Sequence, residues 1–268
     1  MSNQESAKAI PSYRLLNENQ IKKIHEATLK VLEEVGVKVS HQEARELLEA
    51  AGCTIRESDI VLIPRKLVEE SLKTAPSSIE IFDQSGNSAM KLEGRNNYFG
   101  LGTDLKFTYD IYSGETRKSV LQDVKNAAIV ADYCENIDFC ASFALRSDVE
   151  TNNMYLECAK AQMENTAKPI FFTAGGKEDL NAIVNMAQTV AGGKEEFQKK
   201  PFLVHYSEPT APLMHSLGAV RKLFYCAENL VPICYVPGVL MGASGPVTLA
   251  GGIVQANAES LSGIVLSQ

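Results

Sequence analysis

The chain has 268 residues, 45% hydrophobic and 22% charged, with 18 Gly and 10 Pro. That is the profile of an ordinary globular protein, long enough to bury a core without disulfide or metal staples. Its 33 acidic residues outnumber 26 basic ones, for a net charge of −7, which argues against a nucleic-acid partner and against an anionic membrane surface. The polar start MSNQESAKAIPSY lacks the apolar core of a secretory signal. Six cysteines are scattered singly, Cys140 and Cys234 among them within apolar runs, as buried thiols of a reducing cytoplasm are.

In chain order, Asn17 is placed to cap a helix over about 18–35, with Ile21, Ile24, Thr28, Val31, Leu32 and Val35 on one face and Gly36 as its stop. Ser40, with Glu43 three residues on, reads as a capping box for a second helix ending at Gly52. Pro64 opens a third helix that runs to about Ala75. The runs 78–83 and 88–93 alternate around Gly86 and Asn87, as a hairpin does. Residues 1–100 hold 28 charged side chains and residues 201–268 only five. The segment 1–95 therefore reads as a solvated helical extension with a β-hairpin, and the last part as the interior of something larger.

From residue 96 the pattern changes. Strand-like runs at 98–101, 137–143, 169–173, 201–206 and 232–236 are separated or followed by helical stretches at about 119–134, 151–165, 177–191, 212–229 and 246–267. Ser119 with Gln122 reads as the cap of the first of these helices, and Pro246 fits the first turn of the last. A polar strand pair near 105–117 looks like an insertion after the first run. Strand starts every 30–40 residues are the spacing of βα units on a parallel sheet. Two α/β architectures fit: an open doubly wound sheet, or a (β/α)₈ TIM-type barrel of which 96–268 holds about five units, since a barrel needs ~250 residues. The segment 246–268 carries one charge, Glu259. Gln255, Asn257 and Glu259 make it a poor membrane span. It reads as a helix that needs neighbours on several sides, exposes an apolar face and drives the chain to oligomerise. On that reading the chain is incomplete at its C-terminus.

Several chemistries have no motif here. There is no phosphate-binding G-x-x-x-x-G-K-[ST], the G-L-G-T-D run at 100–104 lacks the third glycine of a dinucleotide fingerprint, and His25-Glu26 is not followed by the second histidine of a zinc site. No G-x-S-x-G elbow and no corrinoid-binding Asp-x-His-x-x-Gly stretch occur. What remains is the set of strand C-terminal ends, where barrel and open α/β enzymes build their sites. These offer Gly102 and Asp104 after the first run, and Thr173, Gly175 and Gly176 after the third. The fourth contributes His205, Tyr206 and Glu208; the fifth, Tyr235 and the turn around Ser244. Glu208 reads either as a carboxylate facing a cationic substrate or as a cap for the helix at 212. His205 reads as an interior hydrogen-bonding group or a core histidine. Tyr206 and Tyr235 read as aromatic faces for a cation or as packing residues, and the turn at 242–245 as an anion-holding helix N-terminus or a tight loop.

The opening LLNENQIKKIHEATLKVLEEVGV, the segment VLIPRKLVEESLKTAPSSIEIFD, the run NYFGLGTD and the stretch GASGPVTLAGGIVQANAESLSGIVLSQ together resemble the trimethylamine methyltransferase family. The resemblance runs from about Tyr13 to Gln268 and covers the N-terminal half, or slightly more, of a typical member. It implies a (β/α)₈ barrel with an N-terminal helical extension, in a cytoplasmic enzyme. It also implies transfer of a methyl group from a small methylated amine to a corrinoid (cobalamin) on a separate partner protein, with no tightly bound cofactor and no metal in this chain. Trimethylamine members carry pyrrolysine in a part beyond Gln268. Many relatives lack it and look like demethylases of quaternary amines such as glycine betaine.

A quaternary ammonium leaves as a neutral amine when its methyl is taken, so it needs no general acid, whereas a neutral tertiary amine must first be protonated or otherwise activated. The visible acids and bases are few, Glu208 and His205 at the strand ends, which favours the quaternary substrate. On that reading Glu208 and His205 carry the chemistry, Tyr206, Tyr235, Gly102 and Asp104 line the substrate, and amides near Ser244 receive its carboxylate. A barrel lyase using a catalytic lysine, and a non-catalytic scaffold, are the competing classes. The runs from 137 onward have no interior lysine.

Overall fold

The computed structural model describes residues 13–148 and 153–268. The polar start at 1–12 and the first two residues of the helix expected at 151–165 lie outside them.

Asn17 caps α1 (Glu18–Lys30) through a capping box: its side chain accepts from the Gln20 amide at 3.0 Å, and the Gln20 side chain accepts from the Asn17 amide at 2.9 Å. A π-turn over Val31–Val35 follows and ends at Gly36, whose φ of +80° suits glycine. The wide turn shifts the apolar stripe only from residue 31 onward. Leu29 and Leu32 are fully buried, while Ile21 and Val35, expected on the buried face, are half exposed. The second helix, α2 (Gln42–Ala50), is capped by His41, not Ser40, whose amide instead bonds the His215 carbonyl at 3.0 Å. Between and after these helices lie β1 (Val37–Val39), β2 (Thr54–Arg56) and β3 (Ile60–Leu62), an antiparallel set too short to be read from alternation. Pro64 precedes α3 (Arg65–Thr74), and the expected hairpin is β4 (Ile79–Phe82) with β5 (Ser88–Leu92).

The polar insertion is a second hairpin, β6 (Phe107–Tyr109) with β7 (Thr116–Lys118). Helix α4 (Leu121–Tyr133) is capped by Asp123, which accepts from the Val120 amide at 2.8 Å, so Ser119 is not its cap. The remaining elements are β8 (Cys140–Ala141), α5 (Met154–Asn165), β9 (Ile170–Phe172), α6 (Lys177–Val190), α7 (Lys194–Lys199) and β10 (Leu203–Ser207), then β11 (Met214–His215), α8 (Leu217–Asn229), β12 (Ile233–Tyr235) and α9 (Leu249–Ser267). Two expected helix starts move. Residues 212–216 are a turn, then β11, parallel to β1, then the Ser216 cap, rather than helix. Helix α9 begins after its Thr248 cap, leaving Pro246 and Ser244 outside.

Strands β8, β9, β10 and β12 are parallel neighbours in chain order. The run at 98–101 joins them through a single parallel bridge, Gly100 to Phe139, rather than a ladder. A Cβ on residue 100 would overlap the Phe139 ring, so glycine is required there. The protein is α/β with a parallel sheet, and among the described residues its strands follow chain order without the reversal of a doubly wound fold.

Side chains alternate across this sheet. Cys140, Ile170, Phe172 and Leu203 face helices α4–α8 and form the largest apolar cluster. Phe139, Phe171, Val204 and Cys234 face the other way, onto Ile81 and Met90 of the β4–β5 hairpin. That hairpin is also tied to the strand N-terminal ends, the Phe82 amide to Pro201 carbonyl at 2.9 Å and the Gln84 amide to Ala167 carbonyl at 2.8 Å. It plugs that end of the inner face, leaving the strand C-terminal ends as the open side.

A second cluster joins Leu29, Leu32, Val61 and Val68 to Val220, Ala258, Leu261 and Val265, so the last helix packs on the first ones. The apolar exposure expected of 246–268 is therefore confined to its start, where Val247, Leu249 and Ile253 face solvent. Among the described residues no helix is long and apolar enough to cross a membrane. All six cysteines are unpaired, and four of them are buried.

Candidate functional site

Asp104 joins three strand ends. Its Oδ1 accepts from Thr173 Oγ1 at 2.9 Å and from Ser142 Oγ at 3.2 Å, and its amide donates to Ser142 Oγ at 3.3 Å. Asp104 and Phe143 both take left-handed backbone, φ +62° and +59°, and the Phe143 amide bonds the Gly102 carbonyl at 2.9 Å. Two non-glycine residues held there at neighbouring strand ends are the kind of strain that accumulates at functional sites. Burial holds the Asp104 carboxyl above the usual carboxylate range, against the hydroxyl hydrogen bonds and the attraction of Lys222, while Glu208 reinforces the rise.

Tyr206 and Glu208 lie on the inner face. Tyr206 Oη donates to Glu208 Oε2 at 2.9 Å. Its ring continues an aromatic ladder across three strands: Phe139 to Phe171 at 5.7 Å and Phe171 to Tyr206 at 5.6 Å between centroids. Burial and the Glu208 carboxylate push the Tyr206 phenol up to about 12, so it stays a neutral donor. Glu208 does not cap a helix, because Ser216 does.

The other expected residues are placed elsewhere. His205 has the parity of Leu203, so it points into the helix layer, fully buried against Phe172 at 5.0 Å. Neither ring nitrogen has a hydrogen-bond partner among the described residues. Burial, helped by Lys222, pushes its imidazole down to about 3, so it is a neutral core group and not a proton donor at the mouth. Tyr235 sits opposite Ser207 on the adjacent strand, which turns its ring to the face away from Tyr206. It packs on Gly263 of α9 and is hydrogen-bonded to His215 Nδ1 at 2.8 Å. His215 Nε2 meets Ser262 Oγ at 2.8 Å, and Ser262 itself donates to the Ala258 carbonyl at 2.7 Å. That fixes the proton on Nε2 and makes Tyr235 the donor to Nδ1. Ser244 is not at a helix N-terminus: the amides of Ala243, Ser244 and Gly245 all converge on the Leu240 carbonyl at 2.9–3.1 Å, and no anion can use them.

Lys222 was not among the expected residues. It rises from α8, half-buried, and its Nζ donates to the Ala174 carbonyl at 3.1 Å, just past β9. Burial lowers its pKa, while Cys226, Glu208 and Asp104 oppose the fall. Its signal was its isolation, one of two cations in the charge-poor stretch 201–268. A helix lysine is invisible to a search for lysines on strands.

A parallel sheet covered at its N-terminal end by the β4–β5 hairpin, with an aromatic ladder and the Tyr206–Glu208 pair on its inner face, makes this an α/β protein with a candidate site at its strand C-terminal ends. The chain belongs to the trimethylamine methyltransferase family, whose model, described as trimethylamine methyltransferase (MTTB), matches residues 1–268. It is 31% identical over 260 residues to a glycine betaine methyltransferase of Desulfitobacterium hafniense strain Y51, covering 97% of this chain and 54% of that protein. It is 33% identical over 260 residues to trimethylamine methyltransferase MttB2 of Methanosarcina mazei, covering 95% and 52%. A trimethylamine methyltransferase MttB of Desulfitobacterium hafniense strain DSM 10664 / DCB-2 is 28% identical over 254 residues, covering 94% and 51%. The chain thus spans about half the length of the curated relatives it matches, and identity does not separate the two substrates in their names.

Proposed function

We propose that this chain is the first part of a (β/α)₈ barrel methyltransferase that moves a methyl group from a quaternary amine, glycine betaine or a close analogue, to the Co(I) corrinoid of a separate partner protein. The observation that carries the reading is the Tyr206–Glu208 pair on the inner face, at the end of the aromatic ladder. An aromatic face holds a cationic head group for ~0.5–2 kcal/mol, more as it is desolvated, and Glu208 supplies the counter-charge. Gly102 and Asp104 border the same strand ends. The methyl carbon forms its new bond to cobalt, and the C–N electron pair stays on nitrogen, which leaves neutral. Partial desolvation favours that loss of charge. Parallel strands in chain order support the barrel, and six unpaired thiols suit the cytoplasm. Exposed apolar side chains at the start of α9 suit a homo-oligomer.

A second reading, demethylation of trimethylamine, draws on Asp104. A carboxyl whose pKa burial raises is a candidate to protonate a leaving amine. The test is spectroscopic. Co(I) corrinoid protein, the enzyme and glycine betaine are expected to yield methyl-Co(III), with Asp104→Asn retaining activity. Conversion with trimethylamine alone, lost in Asp104→Asn, establishes the second reading instead. No conversion with either donor by folded protein overturns both.

A further inference from the structure

We propose that Lys222 is the specificity residue of this site, receiving the carboxylate of a zwitterionic quaternary amine; the proposal rests on the methyl-transfer reading above. Such a substrate carries a carboxylate that needs a donor, and several backbone candidates are already engaged. The amides at 243–245 bond the Leu240 carbonyl, the Asp104 amide bonds Ser142, and the Gly175 amide bonds Asp179. Arg117 is bound to Asp110 and Asp123. Of the cations just past the strand ends, Arg146 is paired with Asp148 and Lys177 is exposed, whereas Lys222 is half-buried. Its Nζ donates to the Ala174 carbonyl and to no other described group, which leaves two of three ammonium donors free. The β9–β10 register, Phe172 opposite His205, brings Ala174 level with the residue before Glu208, and Asp104 and Glu208 both favour the charged form of Lys222. Its half-buried setting keeps its field from being screened by solvent.

The arrangement sorts substrates by charge. A zwitterion places its ammonium at Tyr206 and Glu208 and its carboxylate at Lys222, so both ends are paired. A simple cation with the same head group leaves Lys222 unpaired and is repelled by it, so discrimination comes from both attraction and repulsion.

The experiment is calorimetric titration of the protein with glycine betaine and with choline, which shares the trimethylammonium head but has no carboxylate. Wild type is expected to bind betaine more tightly. Lys222→Met is expected to lose roughly 10–100-fold in betaine affinity, the worth of a hydrogen bond to a charged group, and to bind choline as well as or better than wild type. Lys222→Arg, which keeps the charge, is expected to restore part of the preference. Equal weakening of both ligands in Lys222→Met, or unchanged betaine binding, overturns the proposal. Tyr206→Leu separates the two levels of argument, since it is expected to weaken both ligands alike. A wild-type protein that binds neither ligand overturns this proposal together with the reading beneath it.

Discussion

His205 shows how one buried side chain couples folding to pH. Its imidazole sits at about 3 and that of His215 at about 4, both lowered by burial, against an ordinary 6.5. Between these values the unfolded chain binds more protons than the folded one, so stability rises with pH. The stability they contribute is complete above about pH 6.5 and is lost progressively as pH falls through 4 toward 3. His215 keeps two hydrogen bonds, but His205 buries two unpartnered nitrogens. His205→Leu is therefore expected to raise Tm at pH 5 by more than at pH 8 and to flatten the acid slope. Scanning calorimetry across that range decides it, and an unchanged slope would show that His205 does not titrate with unfolding.

At the scale of elements, α9 ties the N-terminal helices to the strand-end loops. Glu259 Oε1 accepts from the Leu213 amide and from Gln255 Nε2, both at 2.9 Å, and Gln255 Nε2 also reaches the Ser244 carbonyl at 2.9 Å. Asn257 meets Thr28 of α1 at 3.1 Å. Gly263 is the close-approach point, where a Cβ would sit 2.5 Å from the Tyr235 ring. Gly263→Ala is expected to push Tyr235 away from His215 and cost about 1–3 kcal/mol, as overpacking does. Denaturant unfolding gives the cost. Loss of amide-exchange protection centred on α8, α9 and β12 would place the damage there, whereas a uniform loss or none would contradict the close packing.

At the scale of the molecule, the parallel sheet ends on β12, and the neighbouring loop and helix start leave Leu240, Met241, Val247, Leu249 and Ile253 open to solvent. A Cβ on Gly252 would meet the Met241 side chain, so loop and helix form one surface. Contiguous apolar exposure of this kind drives association. The 268-residue chain is expected to self-associate with increasing concentration in sedimentation velocity, and Val247→Ser with Leu249→Ser to shift it toward monomer. A monodisperse wild-type monomer would contradict this.

Local signals sufficed for much of the element order. Asn17, Gly36, Pro64 and the Gly86 turn act through backbone chemistry of their immediate neighbours, and four of the five βα units follow from spacing and apolar runs. The very short strands β1, β2, β3 and β11 were hidden, because pairings of two or three residues are stabilised by tertiary partners rather than by local pattern. The π-turn at 31–35 likewise answers to packing rather than propensity. At the site, residue identity was legible and orientation was not. Tyr206 and Tyr235 lie on adjacent strands, but Tyr206 faces Cys234 in register while Tyr235 faces Ser207. One position of register sends their rings to opposite faces, and no local pattern encodes that offset. The same parity sends His205 into the helix layer and keeps Glu208 beside Tyr206. Lys222 enters from a helix, so only tertiary packing could bring its ammonium to the Ala174 carbonyl past β9. The sequence by itself determined the α/β class and the family, and it pointed to the strand ends as the candidate site. The tertiary structure decided which side chains meet there, because facing depends on strand register and helix docking, which long-range contacts set.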